Sequence, residues 1–306
     1  RIIAALAEAV KNGVQVLCLP ELAVSGYGCE DAFFSLSTIR QSEKALKDIL
    51  PHTKNIAVLI GLPIFHQGGL YNSAAMVCDG KILGVSAKRQ LPREGVHYEP
   101  RWFRPWPEAR SETIQLCGAE IPFGDHHYKF GNVGIGVEIC EEAWGSSSLI
   151  APHMDDLDIV LNPSASHFAL GKCTKREVLV ANASRALKVF YAYSNLVGLE
   201  AGRIIYDGGC MVAFEGGIVK RGERFSFNDF DLCWHDANLD LARVDKMRSR
   251  AVQNVQTNLK DGPNIVKVID LPKTTFTPES RAERAPESEL AVKRYDNNEE
   301  FLKAEI

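Results

Sequence analysis

The sequence has no Cys-x-x-Cys pair and no His-x-x-x-His pair, the spacings that gather ligands for a structural zinc ion. His126-His127 and His167 have no partner at a metal-binding interval either, and read as surface or polar-loop residues. The eight cysteines (Cys18, Cys29, Cys78, Cys117, Cys140, Cys173, Cys210 and Cys233) are spread over 306 residues, too thinly for a disulfide scaffold. Several lie inside apolar runs, where a thiol behaves as a small hydrophobe. That usage fits a reducing, cytoplasmic setting. No apolar run approaches the roughly 18 residues of a membrane-spanning helix, and no secretory leader opens the chain. Neither sign of charge dominates: 35 Lys and Arg against 39 Asp and Glu leave −4. A sequence-independent nucleic-acid binder needs clustered cations to neutralise phosphates, so that class is excluded. There is no Gly-x-Ser-x-Gly nucleophile elbow and no Walker phosphate loop. The glycines at 131, 134 and 136 lack the third member of a dinucleotide fingerprint.

What is present is ordinary for a soluble globular protein: 45% apolar and 24% charged residues, in a length that holds one large domain or two small ones. Ile3, Leu6 and Val10 repeat at helical spacing, and Asn12-Gly13 stops that helix. Residues 14–20 (VQVLCLP) form a short strand pattern ended by Pro20. A second helix is predicted over 36–50, with Leu36, Ile39, Leu46, Ile49 and Leu50 as its apolar positions. Residues 56–63 (IAVLIGLP) are continuously apolar, as in a strand buried on both faces. Segments 72–78 and 81–85 flank Asp79-Gly80, a two-residue hairpin signal. Residues 131–140 alternate, with Val133, Ile135, Val137 and Ile139 on one face; 158–164 is another strand, 172–187 a helix, 189–195 a strand. A second hairpin covers 208–225 around Glu215-Gly216-Gly217. Buried strands joined by helices, mixed with tight hairpins, predict an α/β domain with mixed sheets and helices outside. The stretch 279–306 holds 13 charged residues in 28 and reads as a solvated linker or peripheral helix.

Three reactive side chains stand directly after predicted strands, where open α/β sheets gather ligand groups. Glu21 follows the strand closed by Pro20. A carboxylate so near the core loses hydration, a setting suited to a general base, although a surface glutamate opening a loop has the same local signature. Lys88 begins a long loop, 87–103, that holds Glu94, Tyr98, Glu99, Arg101 and Phe103. Loops of this length and aromatic content are functional more often than a plain charged surface loop is. Cys140 ends an alternating strand and precedes Glu141 and Glu142. A thiol there attacks a carbonyl if its pKa is lowered; taken alone, it reads more readily as an inert buried cysteine.

Taken together, these segments resemble the nitrilase (carbon–nitrogen hydrolase) superfamily, and within it the N-terminal glutaminase domain of glutamine-dependent NAD+ synthetases. PELAVSGYGCED (20–31) is similar to the block around that family's catalytic glutamate, and EICEEAW (138–144) resembles its cysteine block. NPSASHFALGK (162–172) and YDGGCMV (206–212) resemble blocks that shape the glutamine pocket. The resemblance implies an α/β fold, a nitrilase-like α-β-β-α sandwich of two mixed sheets flanked by helices. It implies Glu21 as general base, Lys88 as oxyanion stabiliser, Cys140 as nucleophile made anionic by Lys88, and Glu99 as supporting glutamate. Tyr27, Tyr98, Glu141, Ser166 and Lys172 fall at positions implied to contact glutamine.

On this resemblance residues 1–270 form the hydrolase domain and 271–306 a linker toward a C-terminal NAD+ synthetase domain. Family members place a core strand before the first helix, whereas this chain starts at Arg1 directly in a helical pattern, as a fragment would. The Ser-Gly-Gly-x-Asp-Ser phosphate loop of the synthetase does not occur, so this stretch alone is not expected to make NAD+. The glutaminase reaction needs no cofactor on this view; ATP, Mg and deamido-NAD+ belong to the synthetase domain, which ammonia would reach through a tunnel. A homo-oligomer is implied, with no nucleic-acid, membrane or metal partner. Two competing readings are a free-standing amidase or N-carbamoyl hydrolase with the same triad, and a non-catalytic assembly scaffold.

Overall fold

A computed structural model of the chain describes residues 1–93, 95–200, 204–249, 267–270 and 296–305. Helix α1 (Ile2–Lys11) leads into β1 (Val16–Cys18), and α2 (Leu36–Ile49) into β2 (Ala57–His66). Then follow β3 (Gly69–Cys78), β4 (Lys81–Ala87), β5 (Ser111–Leu116) and β6 (Ala119–Gly124). These six strands make one sheet in the order β1-β2-β3-β4-β6-β5.

The second sheet contains β7 (His126–Phe130), β8 (Val133–Val137), β9 (Ile159–Ser164) and β10 (Phe190–Asn195). Helix α3 (Lys172–Leu187) connects β9 to β10, which lie parallel, as a helical crossover requires. A small ribbon of β11 (Val197–Leu199) and β12 (Ile205–Asp207) precedes β13 (Met211–Phe214) and β14 (Gly217–Arg221). Helix α4 (Leu239–Arg248), strand β15 (Lys267–Asp270) and helix α5 (Asn297–Glu305) complete the described chain. The sheet order is β14-β13-β10-β9-β8-β7-β15.

The layering follows from β2, which is apolar from Ala57 to Phe65 and buried on both faces as far as Ile64. Val58, Ile60, Leu62 and Ile64 pack with Leu6 and Ala9 of α1 and Leu46 and Ile49 of α2. Ala57 and Leu59 point the other way, onto Tyr128, Ile135, Val137 and Leu161 of the second sheet. On that sheet's outer face, Val160, Tyr191 and Ala213 meet Val180 and Leu187 of α3. The result is helix–sheet–sheet–helix, as the resemblance implies. Among the described residues four two-residue hairpins, at Gln67-Gly68, Asp79-Gly80, Cys117-Gly118 and Glu215-Gly216, have positive φ at both positions, the geometry that matches strand twist. The Gln67-Gly68 hairpin, β2–β3, and the Cys117-Gly118 hairpin, β5–β6, were not anticipated from the sequence.

Several expectations change. Ile3 and Val10 of α1 are exposed, and Ala5, Leu6 and Ala9 form the buried stripe instead. Leu36 of α2 is also exposed. His126 and His127 are not surface residues but strand residues of β7, 2% and 4% exposed. Burial pushes their imidazoles down to about 4 and about 3, so both enter the sheet as neutral rings. His167 is half-buried and hydrogen-bonded to His97 at 2.8 Å. Of the charged tail, Asn297–Glu305 forms a peripheral helix whose Glu300 pairs with Arg224; residues 279–295 and Glu94 lie outside the described residues. All eight cysteines are unpaired. Among the described residues no helix is long and apolar enough to cross a membrane.

Candidate active site

Three strand ends converge. After β1, Leu19 and Pro20 carry the chain across β2 so that Glu21 turns inward, 1% exposed. Residue 61 of β2 must be glycine for this crossing: a Cβ there would stand 2.4 Å from the Leu22 nitrogen and 2.6 Å from the Pro20 oxygen. Both neighbours are backbone and cannot step aside cheaply. Gly61→Ala is therefore expected to displace the Glu21 turn. It should cost about 1–3 kcal/mol of stability by overpacking and about a hundredfold in kcat by misplacement. Denaturant unfolding and steady-state kinetics check this; a variant matching the parent in both would show that the close approach is unimportant.

Lys88 follows β4 and is fully buried. Its Nζ donates to Glu21 Oε1 and to Glu99 Oε1, each at 2.6 Å. Asn72 Nδ2 donates to Glu21 Oε1 at 2.7 Å and to Glu99 Oε2 at 3.3 Å, and the Ala165 amide donates to Glu21 Oε2 at 2.9 Å. Tyr27 Oη donates to Glu99 Oε1 at 2.8 Å. Burial works against the Lys88 ammonium, but the two carboxylates outweigh it and hold it well above the usual lysine range. Burial pushes Glu99 upward, against the pull of Lys88. An ammonium carries three N–H groups; two are committed here, which leaves one for a developing oxyanion.

Cys140 opens a 3₁₀ turn, Cys140–Ala143, just after β8. Its φ is +48°, a left-handed conformation that costs a non-glycine residue of order 1–3 kcal/mol and is found at functional turns. The thiol is 7% exposed, lies against the Ala165 backbone and feels the charges of Glu21, Lys88 and Glu99. So the three residues singled out at strand ends share one buried site. The expected direction of the thiol pKa is reversed, however. Burial pushes Cys140 up, Glu21 and Glu99 add to that, and Lys88 only opposes. The reason is first that the thiol is buried, and then that the lysine's charge is already balanced by two carboxylates. The resting thiol is neutral, and deprotonation has to accompany attack, with Glu21 as the acceptor at hand.

With that geometry in view, the relatives become informative. The sequence profile of the carbon-nitrogen hydrolases matches residues 1–248. The chain belongs to the carbon-nitrogen hydrolase family. It is 32% identical over 291 residues to the glutamine-dependent NAD(+) synthetase of Saccharomyces cerevisiae, a match covering 89% of this chain and 39% of that protein. A glutamine-dependent NAD(+) synthetase from Cytophaga hutchinsonii superposes with a TM-score of 0.70 at 39% identity, covering 76% of this chain and 39% of that one. An amidase of the nitrilase superfamily from Nesterenkonia shares the fold, with a TM-score of 0.59 at 19% identity over 84% of this chain and 88% of its own. The chain thus spans about two fifths of the length of the synthetases it resembles.

Around the triad of this carbon-nitrogen hydrolase, the residues expected to contact substrate divide. Tyr27 is buried against Glu99, and its amide donates to Glu200 Oε1 at 3.0 Å. Ser166 is buried, its amide donating to Asn195 Oδ1 at 2.8 Å. Lys172, at the start of α3, lies 3.0 Å from His167 Nδ1 and 6.0 Å over the Trp144 ring. Burial, with nearby Arg176, lowers it to about 8; Cys140 and Glu141 act in the other direction, which puts half-buried Glu141 in the same neighbourhood. Tyr98 is different: it is 57% exposed, and its neighbour is Arg101 rather than the triad. Sequence reasoning missed Asn72, which bridges both glutamates. An asparagine inside a strand flanked by apolar runs was the available signal, since a buried amide needs partners. It also passed over Arg89 and gave Glu142 no role.

Proposed function

We propose that the protein hydrolyses the side-chain amide of glutamine to glutamate and ammonia through a thioester on Cys140. The observation that carries this is the buried Lys88 bridging Glu21 and Glu99 beside Cys140. An amide carbon is a poor electrophile, so it needs a strong nucleophile, charge stabilisation of the tetrahedral oxygen and a proton for the leaving nitrogen. The Cys140 sulfur attacks the carbonyl carbon while Glu21 takes the thiol proton. Lys88 donates its remaining N–H to the oxyanion. Glu21 passes the proton to nitrogen, the C–N bond breaks, and ammonia leaves. A water then gives a proton to Glu21 and its oxygen to the thioester carbon, the C–S bond breaks, and Glu21 returns that proton to the departing sulfur, releasing glutamate and restoring the thiol and the carboxylate. Glu99 and Asn72 hold Lys88 and Glu21 in register.

The names of the relatives support glutamine as the amide donor and a following NAD+ synthetase domain as consumer of the ammonia; by the family resemblance, ATP, Mg and deamido-NAD+ would belong to that domain. The pairing of β15 with β7 supports a hydrolase domain reaching residue 270. Assembly into a homo-oligomer and a cytoplasmic setting belong to the same proposal. The test is a panel of glutamine, asparagine, an N-carbamoyl amino acid and a nitrile with the intact protein. Ammonia release should favour glutamine, and a glutamine-mimicking diazo-ketone should add its mass to Cys140. Preference for the carbamoyl compound would move the assignment to the amidase reading; no turnover and no adduct would favour the scaffold.

A further inference from the structure

We infer that Arg89 and Glu142 are a positioning pair that sets the spacing between Lys88 and Cys140; this rests on the thioester reading above. The residue after Lys88 and the residue before Cys140 are tied to one buried carboxylate. Glu142 Oε1 accepts from the Arg89 amide at 2.6 Å and from Arg89 Nε at 3.0 Å. Glu142 Oε2 accepts from Arg89 Nη2 at 2.9 Å and from the Ile139 amide at 2.7 Å. Two of these donors are backbone amides, so the carboxylate fixes main chain as well as side chain.

The location gives the pair its importance. Lys88 and Arg89 leave β4 of the first sheet, while Ile139 and Cys140 leave β8 of the second. Among the described residues no backbone ladder joins the two sheets, so the separation of lysine and thiol depends on the side chains that cross between them, such as Ser86 to Tyr128 at 3.0 Å and the Arg89–Glu142 pair. Arg89 extends the tie: Nη1 donates to Asp125 Oδ1 at 2.8 Å and Nη2 to the Val137 carbonyl at 3.0 Å. Asp125 lies at the passage from β6 to β7, where the chain itself changes sheets, and also accepts from the Ala109 amide at 2.9 Å. Arg89 and Glu142 are 8% and 1% exposed, so water does not substitute for a lost partner. The planar fork of arginine suits this two-oxygen grip, and lysine would not reproduce it. The same carboxylate caps the strained turn of Cys140 through Ile139.

A misplacement of about 1 Å costs on the order of a hundredfold in rate. In the intact protein, Glu142→Gln and Arg89→Lys should each lower kcat for glutamine about that much, with KM within about threefold, because substrate contacts are untouched. The double variant should be no worse than the poorer single one, since the two act as a unit. Each should also shift the pH profile of Cys140 alkylation, a readout that does not require glutamine turnover. If Glu142→Gln fails to fold, Arg89→Lys carries the same measurements. An unchanged kcat and alkylation profile, or a rise in KM alone, would overturn the pair's role. A shifted alkylation profile in a protein whose parent does not hydrolyse glutamine would uphold the pair and sink the glutaminase reading.

Discussion

Cys140→Ala should abolish ammonia release from glutamine, on the order of 10⁶-fold, while the fold stands. The rate falls because no other group in the site can form the thioester: Glu21 and Glu99 are engaged with Lys88. The fold survives because the change removes one sulfur from a packed position and leaves the hydrogen bonds among Lys88, Glu21 and Glu99 intact, a loss of roughly 1 kcal/mol. The strain at φ +48° is present before and after. Ammonia measurement, with circular dichroism for the fold, checks both halves. A folded variant that still turned over at the parental rate would disprove Cys140 as nucleophile. Because burial holds the thiol up, parental Cys140 should alkylate slowly at neutral pH and faster as pH rises. Fast labelling at neutral pH would mean that the buried charges are arranged differently.

Lys88→Met should damage both rate and stability. The variant loses the donor to the oxyanion, at least about 10²–10³ in kcat, and the charge that steadies both glutamates. Breaking a buried ion pair from one side typically costs about 3–5 kcal/mol, because the remaining charge cannot be hydrated. Here two carboxylates, 1% exposed each, would face one another alone. Glu99, already held up by burial, would rise further without Lys88 opposing. A carboxyl raised in the folded state binds more protons there than in the unfolded chain, so the stability of the variant should fall as pH rises. Chemical denaturation at about pH 5.5 and pH 8 should show the larger deficit at the higher pH. A deficit that is equal at both, or absent, would mean that Lys88 is not the counter-charge of this pair.

Much of this architecture was legible beforehand because period and turn chemistry are local properties. The apolar run 56–63 announced a strand covered on both faces, and Asp79-Gly80 announced its neighbouring hairpin. Alternation in 133–139 placed four side chains on one face, all packed in the layer between the sheets. What failed did so for nonlocal reasons. Ile3 and Val10 have the right spacing, but the stripe that packs inward is Ala5, Leu6 and Ala9, which keeps only Leu6 of the expected three. His126 and His127 look polar in isolation, yet β7 buries them as neutral rings. Cys117-Gly118 is a hairpin only because strands on both sides find partners.

By itself, the sequence determined the family of chemistry through its four motif blocks, since strand-end position alone left Glu21 and Cys140 open to non-catalytic readings. Glutamate, lysine and cysteine stand each at the end of a strand pattern, and a strand's end is where the backbone releases a side chain toward a cleft. The tertiary structure alone decided the electrostatics. Whether a thiol is anionic depends on every charge within a few ångströms, and those charges come from positions far apart in the chain. Folding buries Cys140 and places Glu21 and Glu99 on the same ammonium, and so pushes up a thiol that was expected to be lowered, which then needs its base at the moment of attack.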